Sequence, residues 1–185
     1  DNPTAGSRTF TLTQIQDSGG TANSGADTTT LSVVSTVAVN AVNDAPTLSA
    51  TASNPTFTEA AGLGTQAAAV AVFSGANTST IESGQTIKGL TFTVGGLADG
   101  ASETIVVDGT TIALGANSSG TTATNGMAYT VTIVSGTATV ALTKTAGVST
   151  SAINTLINGI TYQDTNTDNP TAGSRTFTLT QIQDS

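Results

Sequence analysis

Residues 1–18 read DNPTAGSRTFTLTQIQDS, and residues 168–185 read DNPTAGSRTFTLTQIQDS again, without a mismatch. Within the first copy Phe10 and Leu12 alternate with Thr9, Thr11 and Thr13 before Ile15 closes the run. Apolar residues at period two, set between β-branched polar ones, are the mark of a half-buried strand. The offset between the copies is 168 − 1 = 167 residues. That period is too long for a solenoid repeat and fits a string of whole domains, each with its own core. Perfect identity over 18 residues implies recent duplication or strong homogenisation, and a parent with many copies.

The same reading extends outward. Leu31, Val33, Val37 and Val39 alternate with Thr30, Ser32 and Thr36, and the Gly/Asn/Asp-rich stretch 17–27 joins this run to the first as an antiparallel pair with a long loop. The segment Asn43-Asp44-Ala45-Pro46 then leaves the sheet, since proline cannot donate to a ladder. Further strands are expected around Phe57, Val70–Phe73, Leu90–Val94 and Ile105–Val107. Asp108-Gly109 turns the chain into Ile112–Leu114, and Ser135-Gly136 joins Tyr129–Ile133 to Ala138–Leu142. One segment departs from period two. Ser149-Thr150-Ser151 precedes Ile153, Leu156 and Ile157, and Asn158-Gly159 follows, which predicts a short capped helix packed on a sheet end. Nine or ten short strands and one small helix predict an all-β, Greek-key β-sandwich.

Domain organisation follows from the repeat. Residues 1–42 are expected to be the C-terminal strands of one copy, 43–46 the linker between copies, and 47–185 the next copy lacking its last strand. Two identical segments want the same place in the same fold, so spare strands at one end and a missing strand at the other predict end-to-end pairing between neighbouring copies.

Composition excludes several functions. The chain has 185 residues with no Cys, His or Trp, 12 acidic residues against four basic ones, and a net charge of −8. Four cations do not neutralise a nucleic-acid backbone, and the acidic balance disfavours anionic membrane surfaces. No apolar run reaches membrane-spanning length, so no membrane insertion is expected. The chain does not open with a basic-then-apolar signal segment. Without His or Cys there is neither a triad, a thiolate nucleophile nor an ordinary zinc site, and the Gly-rich stretches lack the lysine of a phosphate loop. Catalysis is not expected.

Carboxylates are what remains. Asp164-Thr165-Asn166-Thr167-Asp168 places oxygen-bearing side chains at alternate loop positions, as calcium loops do, although Asn169 and Arg175 stand where an EF-hand has Gly and Glu. Asp164 and Asp168 are therefore candidate calcium ligands. Asp17 and Asp27 flank the Gly-rich loop and join them if the loops gather at one end. Asp44 with Glu59 is a second candidate pair and Glu82 a third candidate. Asp99 with Glu103 is a fourth candidate pair, although for Glu82 and for this pair a solvated loop acid is the favoured expectation, and Asp108 is expected to be a hairpin-turn residue. The duplicated Arg8 and Arg175 are expected to tether a neighbouring acidic loop by ion pairs, which contribute roughly 0–1 kcal/mol when exposed.

Several of these runs resemble a known class. GITYQDTNTDNPTAGSRTFTLTQIQDS (159–185), TVAVNAVNDAPTL (36–48), FTEAAG (57–62) and IESGQTIKGLTFTVGGLADGASETIVVDGTTI (81–112) are similar to the cadherin-like and immunoglobulin-like tandem repeats of giant bacterial adhesins. Many of those proteins are exported by type I machinery with RTX-type signals. The resemblance implies an extracellular β-sandwich extender, often rigidified by calcium, that holds a terminal binding domain away from the cell in adhesion or biofilm formation. Asn43-Asp44-Ala45-Pro46 resembles the calcium-bridged linkers of cadherins, and Glu59 sits where such repeats place an early acidic ligand. The chain departs from the cadherin pattern in lacking an Asp-x-Asp motif. The competing expectations are a binding module for a glycan, ice or a host protein, because Thr-x-Thr runs can form an ordered face, and a self-associating repeat.

Overall fold

The computed structural model describes residues 3–185. The chain divides into two compact units, Asp1–Asn43 and Asp44–Ser185.

The first unit is a single antiparallel pair, β1 (Gly6–Gln16) with β2 (Thr28–Val39). Phe10 lies opposite Ser35 and Leu12 opposite Val33. Nothing within the unit covers these side chains: Phe10, Leu12 and Ile15 are 63%, 64% and 62% exposed. The loop between the strands is held by the Asp17 amide, which donates to the Asp27 carbonyl at 2.8 Å.

The second unit is a β-sandwich with one helix. In chain order its strands are β3 (Thr47–Ala52), β4 (Val70–Ala71), β5 (Phe73–Ser79), β6 (Ile87–Gly95), β7 (Glu103–Val107), β8 (Thr110–Ala113), β9 (Ser118–Thr121), β10 (Ala128–Val134), β11 (Thr137–Val148), β12 (Thr161–Asp164) and β13 (Thr176–Asp184). A five-stranded sheet runs β13-β6-β11-β10-β9, a four-stranded sheet β4-β12-β7-β8, and β3 pairs with β5. Every pairing is antiparallel.

Period-two patterning builds the core. Leu90, Phe92 and Val94 of β6 point inward and face Leu142, Val140 and Ala138 of β11. Ile105 and Val107 of β7 close the opposite layer with Ile112 of β8 and Tyr162 of β12. The two tight hairpins form as the sequence predicts: Asp108 and Gly109 have φ of 51° and 77°, Ser135 and Gly136 φ of 48° and 73°. Two successive positive φ angles match the strand twist of a two-residue turn.

The helix α1 (Thr150–Asn158) also forms where the stripe predicts it. Ser149 caps it by accepting from the Ala152 amide at 3.1 Å, and Ile153, Leu156 and Ile157 are buried. It packs on β5, where the Asn158 side chain accepts from the Ala76 amide at 2.9 Å.

The strand expected around Phe57 does not form; that residue lies in the irregular stretch between β3 and β4. Its ring instead meets Tyr162 edge-on, with centroids 6.0 Å apart. Pro55 and the polar residues around it leave one aromatic side chain, rather than a ladder, as the anchor of this segment. Among the described residues thirteen strands form in place of nine or ten; β3 and β9, rich in small or polar residues, carry the weakest apolar alternation.

The second copy of the duplicated sequence becomes β13. Phe177, Leu179 and Ile182 lie opposite Val94, Phe92 and Leu90 and pack against the core. Phe177 and Leu179 are two residues apart and Ile182 three further on. A bulge between Leu179 and Gln181 absorbs the odd step, so all three reach the same face. Between β1 and β2 the register also shifts between Leu12 and Gln14, but there the extra residue is on β2.

Candidate functional site

Three carboxylates meet where β6 leaves the sheet and β12 ends. Glu103 opens β7 and shares its inward face with Ile105 and Val107. Asp164 closes β12 directly opposite Glu103. Asp99 comes from the loop after β6. One oxygen from each lies within 4.8 Å of the others. Glu103 is fully buried and Asp164 is 2% exposed. Like charges directly opposite on a sheet are destabilising, so the cluster requires compensation.

The repeated sequence supplies it. Residues 168–175 pass over the acids and deliver two clasps. The Thr171 amide and hydroxyl donate to the Asp99 carboxylate at 2.7 and 2.5 Å. The Arg175 guanidinium donates through Nε to Glu103 and through a terminal nitrogen to Asp99 at 3.5 Å. The ion-pair tether that the sequence predicts for Arg175 forms, and with its side chain 8% exposed it is desolvated. Gly96 makes the close crossing possible: at φ +81° a Cβ there would collide with the Ser174 carbonyl oxygen.

Glu103 is saturated. Its Oε2 accepts from the amides of Ala98 and Asp99 at 2.8 and 3.0 Å, and its Oε1 accepts from the Tyr162 hydroxyl at 2.9 Å as well as from Arg175. Burial, and then donation to Glu103, push the Tyr162 hydroxyl well above its ordinary pKa, so it stays a donor. Asp164 is different. Its Oδ1 accepts from the Asn166 amide at 2.9 Å, while its Oδ2 is buried with no partner. Burial is the largest influence on Asp164 and raises its pKa; contact with Asp99 raises it further. The hydrogen bond from Thr171 holds Asp99 below the usual carboxylate range. A proton on Asp164, shared with Asp99, satisfies the orphan oxygen. So does a cation. An all-oxygen set without His or Cys selects a hard cation, and Arg175 leaves the three carboxylates incompletely neutralised.

These directions have a pH consequence. Asp164 has a folded pKa above its unfolded value, so the folded chain binds its proton more tightly. Its influence makes stability rise as pH falls from neutrality through that folded pKa, levelling off near the unfolded value of about 4. Asp99 is lowered, so its contribution is full above about 4 and is lost below. Without divalent metal, the melting temperature of the parent chain is expected to rise as pH falls from neutrality toward the unfolded value of about 4, and Asp164→Asn is expected to lose that rise. Parallel wild-type and variant profiles would remove Asp164 from the cluster's energetics.

The sequence candidates are dispersed. Asp164 is in the cluster, but Asp168 is exposed, with its amide donating to the Asn166 side chain at 3.0 Å. Asp17 and Asp27 lie in the first unit: Asp17 accepts from the Gly19 amide, and Asp27 accepts from the side chains of Gln16 and Thr28. Asp44 is tied not to Glu59 but to Glu82, whose carboxylate accepts from the Asp44 amide at 2.8 Å; Glu82 is buried and Glu59 exposed. Asp108 is a turn residue and also a buried hub, accepting from the Thr122 hydroxyl and from the amide and side chain of Asn125.

Glu103 and Asp99 are not solvated loop acids. The missed signal is parity. Glu103, Ile105 and Val107 alternate, as do Tyr162 and Asp164, so both acids continue an inward-facing row. Comparison with protein-family models, with curated proteins and with solved structures gives no match to this chain.

Proposed function

We propose that this chain is a structural repeat of a large bacterial cell-surface adhesin, an extracellular spacer that calcium rigidifies and that projects a distal binding domain in adhesion or biofilm formation. One observation carries the reading. The same 18 residues occur twice, once as a strand on a finished core and once as a hairpin strand whose apolar face is bare. A two-stranded hairpin is marginal alone in water. As the last strands of a preceding copy, with residues 47–185 as the next, it gains the core it lacks, and 43–46 is the junction between copies.

The repeat also carries its own clasp. Thr171 and Arg175 hold Asp99 and Glu103 within one unit, and Thr4 and Arg8 are the same residues one period earlier. Arg8 and Arg175 even share a local contact, each donating to the carbonyl four residues back at 3.1 Å. Neither His nor Cys is present to support a nucleophile.

Calcium is the cation of this reading, bound at the Asp164 oxygen beside Asp99, with the saturated Glu103 adding its charge to the site. The partnerless Asp164 oxygen and the oxygen-only donors support it. Calcium at about ten to a hundred times its dissociation constant adds roughly 1.4–2.7 kcal/mol. The test is thermal unfolding in EGTA, then with about 10 mM calcium or magnesium. A calcium-specific rise in melting temperature that Asp164→Asn abolishes is expected. An equal rise in that variant, or no rise in the parent chain, would refute the assignment.

A further inference from the structure

We infer that the open edge of β13 is a docking site for β2 of a second copy of this chain, added antiparallel with Val33 opposite Leu179 and Ser35 opposite Phe177. The inference goes beyond the spacer reading and needs no calcium.

The established β1–β2 interface defines the partner. β1 and β13 have the same sequence, and β2 already pairs with that sequence. Within the second unit β13 is the outermost strand, with β6 on one side and no strand on the other among the described residues. Shifting the β1–β2 register by one period places Val37 opposite Arg175, Val34 opposite Thr178 and Thr30 opposite Gln181.

Hydrogen-bond direction agrees. Val134 and Thr137 flank the two-residue turn and form a bonded pair. Alternation then directs Ala138, Val140 and Leu142 toward β6, and Thr93 and Gly95 of β6 toward Thr178 and Thr176 of β13. The main-chain groups of Phe177 consequently face the open edge, free to pair with Ser35.

β2 can add to the β13 of another molecule in the residue register it has with β1, because the two strands are identical in sequence. The gain is that Val33 and Val37, 57% and 50% exposed in the hairpin, join a sheet that already has a core. No lysine or proline guards the edge: the one charge of β13, Asp184, is buried at its end, and β2 carries no charge at all. Each chain offers one β2 and one β13 edge, so the contact is heterologous and propagates head to tail.

The test uses the whole chain, which has no native Cys. Sedimentation of the wild type across a hundredfold range of concentration is expected to show monomers giving way to a ladder of oligomers, in EGTA as in calcium. The double variant Val34→Cys, Thr178→Cys places thiols at a non-hydrogen-bonded pair, where strands approach most closely. Mild oxidation is expected to link the two positions between chains, identified by peptide mass. The offset variant Val34→Cys, Thr176→Cys is expected to link at least tenfold less. A wild-type chain that stays monomeric throughout, or equal linking at both positions, would overturn the inference. Calcium-dependent melting without association rejects strand addition and leaves the spacer reading in place; association without a calcium response does the reverse.

Discussion

Replacing Arg175 by Met is expected to destabilise the second unit by about 3–5 kcal/mol, and replacing Arg8 by Met to change stability by less than about 0.5 kcal/mol. Both residues sit in the sequence Thr-Ala-Gly-Ser-Arg-Thr-Phe. Helix and strand propensity, unfolded-chain entropy and local hydrogen bonding are therefore nearly the same at the two sites. What differs is the surroundings. Arg175 is desolvated against Glu103 and Asp99, with Asp164 behind them. Its loss leaves buried carboxylates without a counter-charge, the situation in which removing one partner is costly. Arg8 is exposed and donates to the carbonyls of Thr4 and Ser7. Methionine keeps the alkyl stem, so the difference between the variants reports charge more than packing. Urea unfolding followed by far-ultraviolet circular dichroism measures it. Total domain stability is usually 5–15 kcal/mol, so the loss at Arg175 is a large fraction of what holds the sandwich together. Equal effects at the two sites would mean that the acidic cluster is not desolvated in solution.

Much of this arrangement is legible in the sequence, and the part that is not has a common cause. Strands with clean alternation, such as Leu90–Val94 and Ala138–Leu142, fall where the apolar residues place them. The two hairpin turns and the Ser149-capped helix follow from local chemistry that tertiary contacts do not override. The acidic centre is less legible. Asp164 stands out because it lies in an oxygen-rich loop, but Asp168, its expected companion, points to solvent while Asp99 and Glu103 take that place. Loop spacing describes ligands that are neighbours in the chain. This cluster joins three segments that only sheet pairing brings together, and register is not written in spacing. Phe57 fails for a related reason: a lone aromatic between threonines resembles a strand, but its partner is a ring, Tyr162, more than a hundred residues away. The bulge within β13 is a further case: its extra residue lies on β13 against β6, whereas between β1 and β2 the extra residue lies on β2, so the shared sequence Leu-Thr-Gln-Ile does not by itself fix it.

The second large effect concerns that duplicated strand itself. In a dilute chain sedimenting as a monomer, amide hydrogens of Thr176–Asp184 are expected to exchange roughly three orders of magnitude more slowly than those of Gly6–Gln16. β13 is hydrogen-bonded to a central strand, and Phe177, Leu179 and Ile182 pack on the core, so its bonded amides exchange only through large-scale opening. β1 belongs to a pair in which its own Phe10, Leu12 and Ile15 are more than half exposed, and such a pair opens at little cost. Sequence sets the intrinsic exchange rate, and the sequences are the same, so the ratio reads protection alone. Residue-resolved hydrogen exchange at neutral pH therefore tests most directly whether the first strand is waiting for the core of a preceding copy. Strong protection confined to Thr176–Asp184 is the expected result. Equal protection of both copies in the monomer would contradict it, because the hairpin would then be a finished structure with no core left to find.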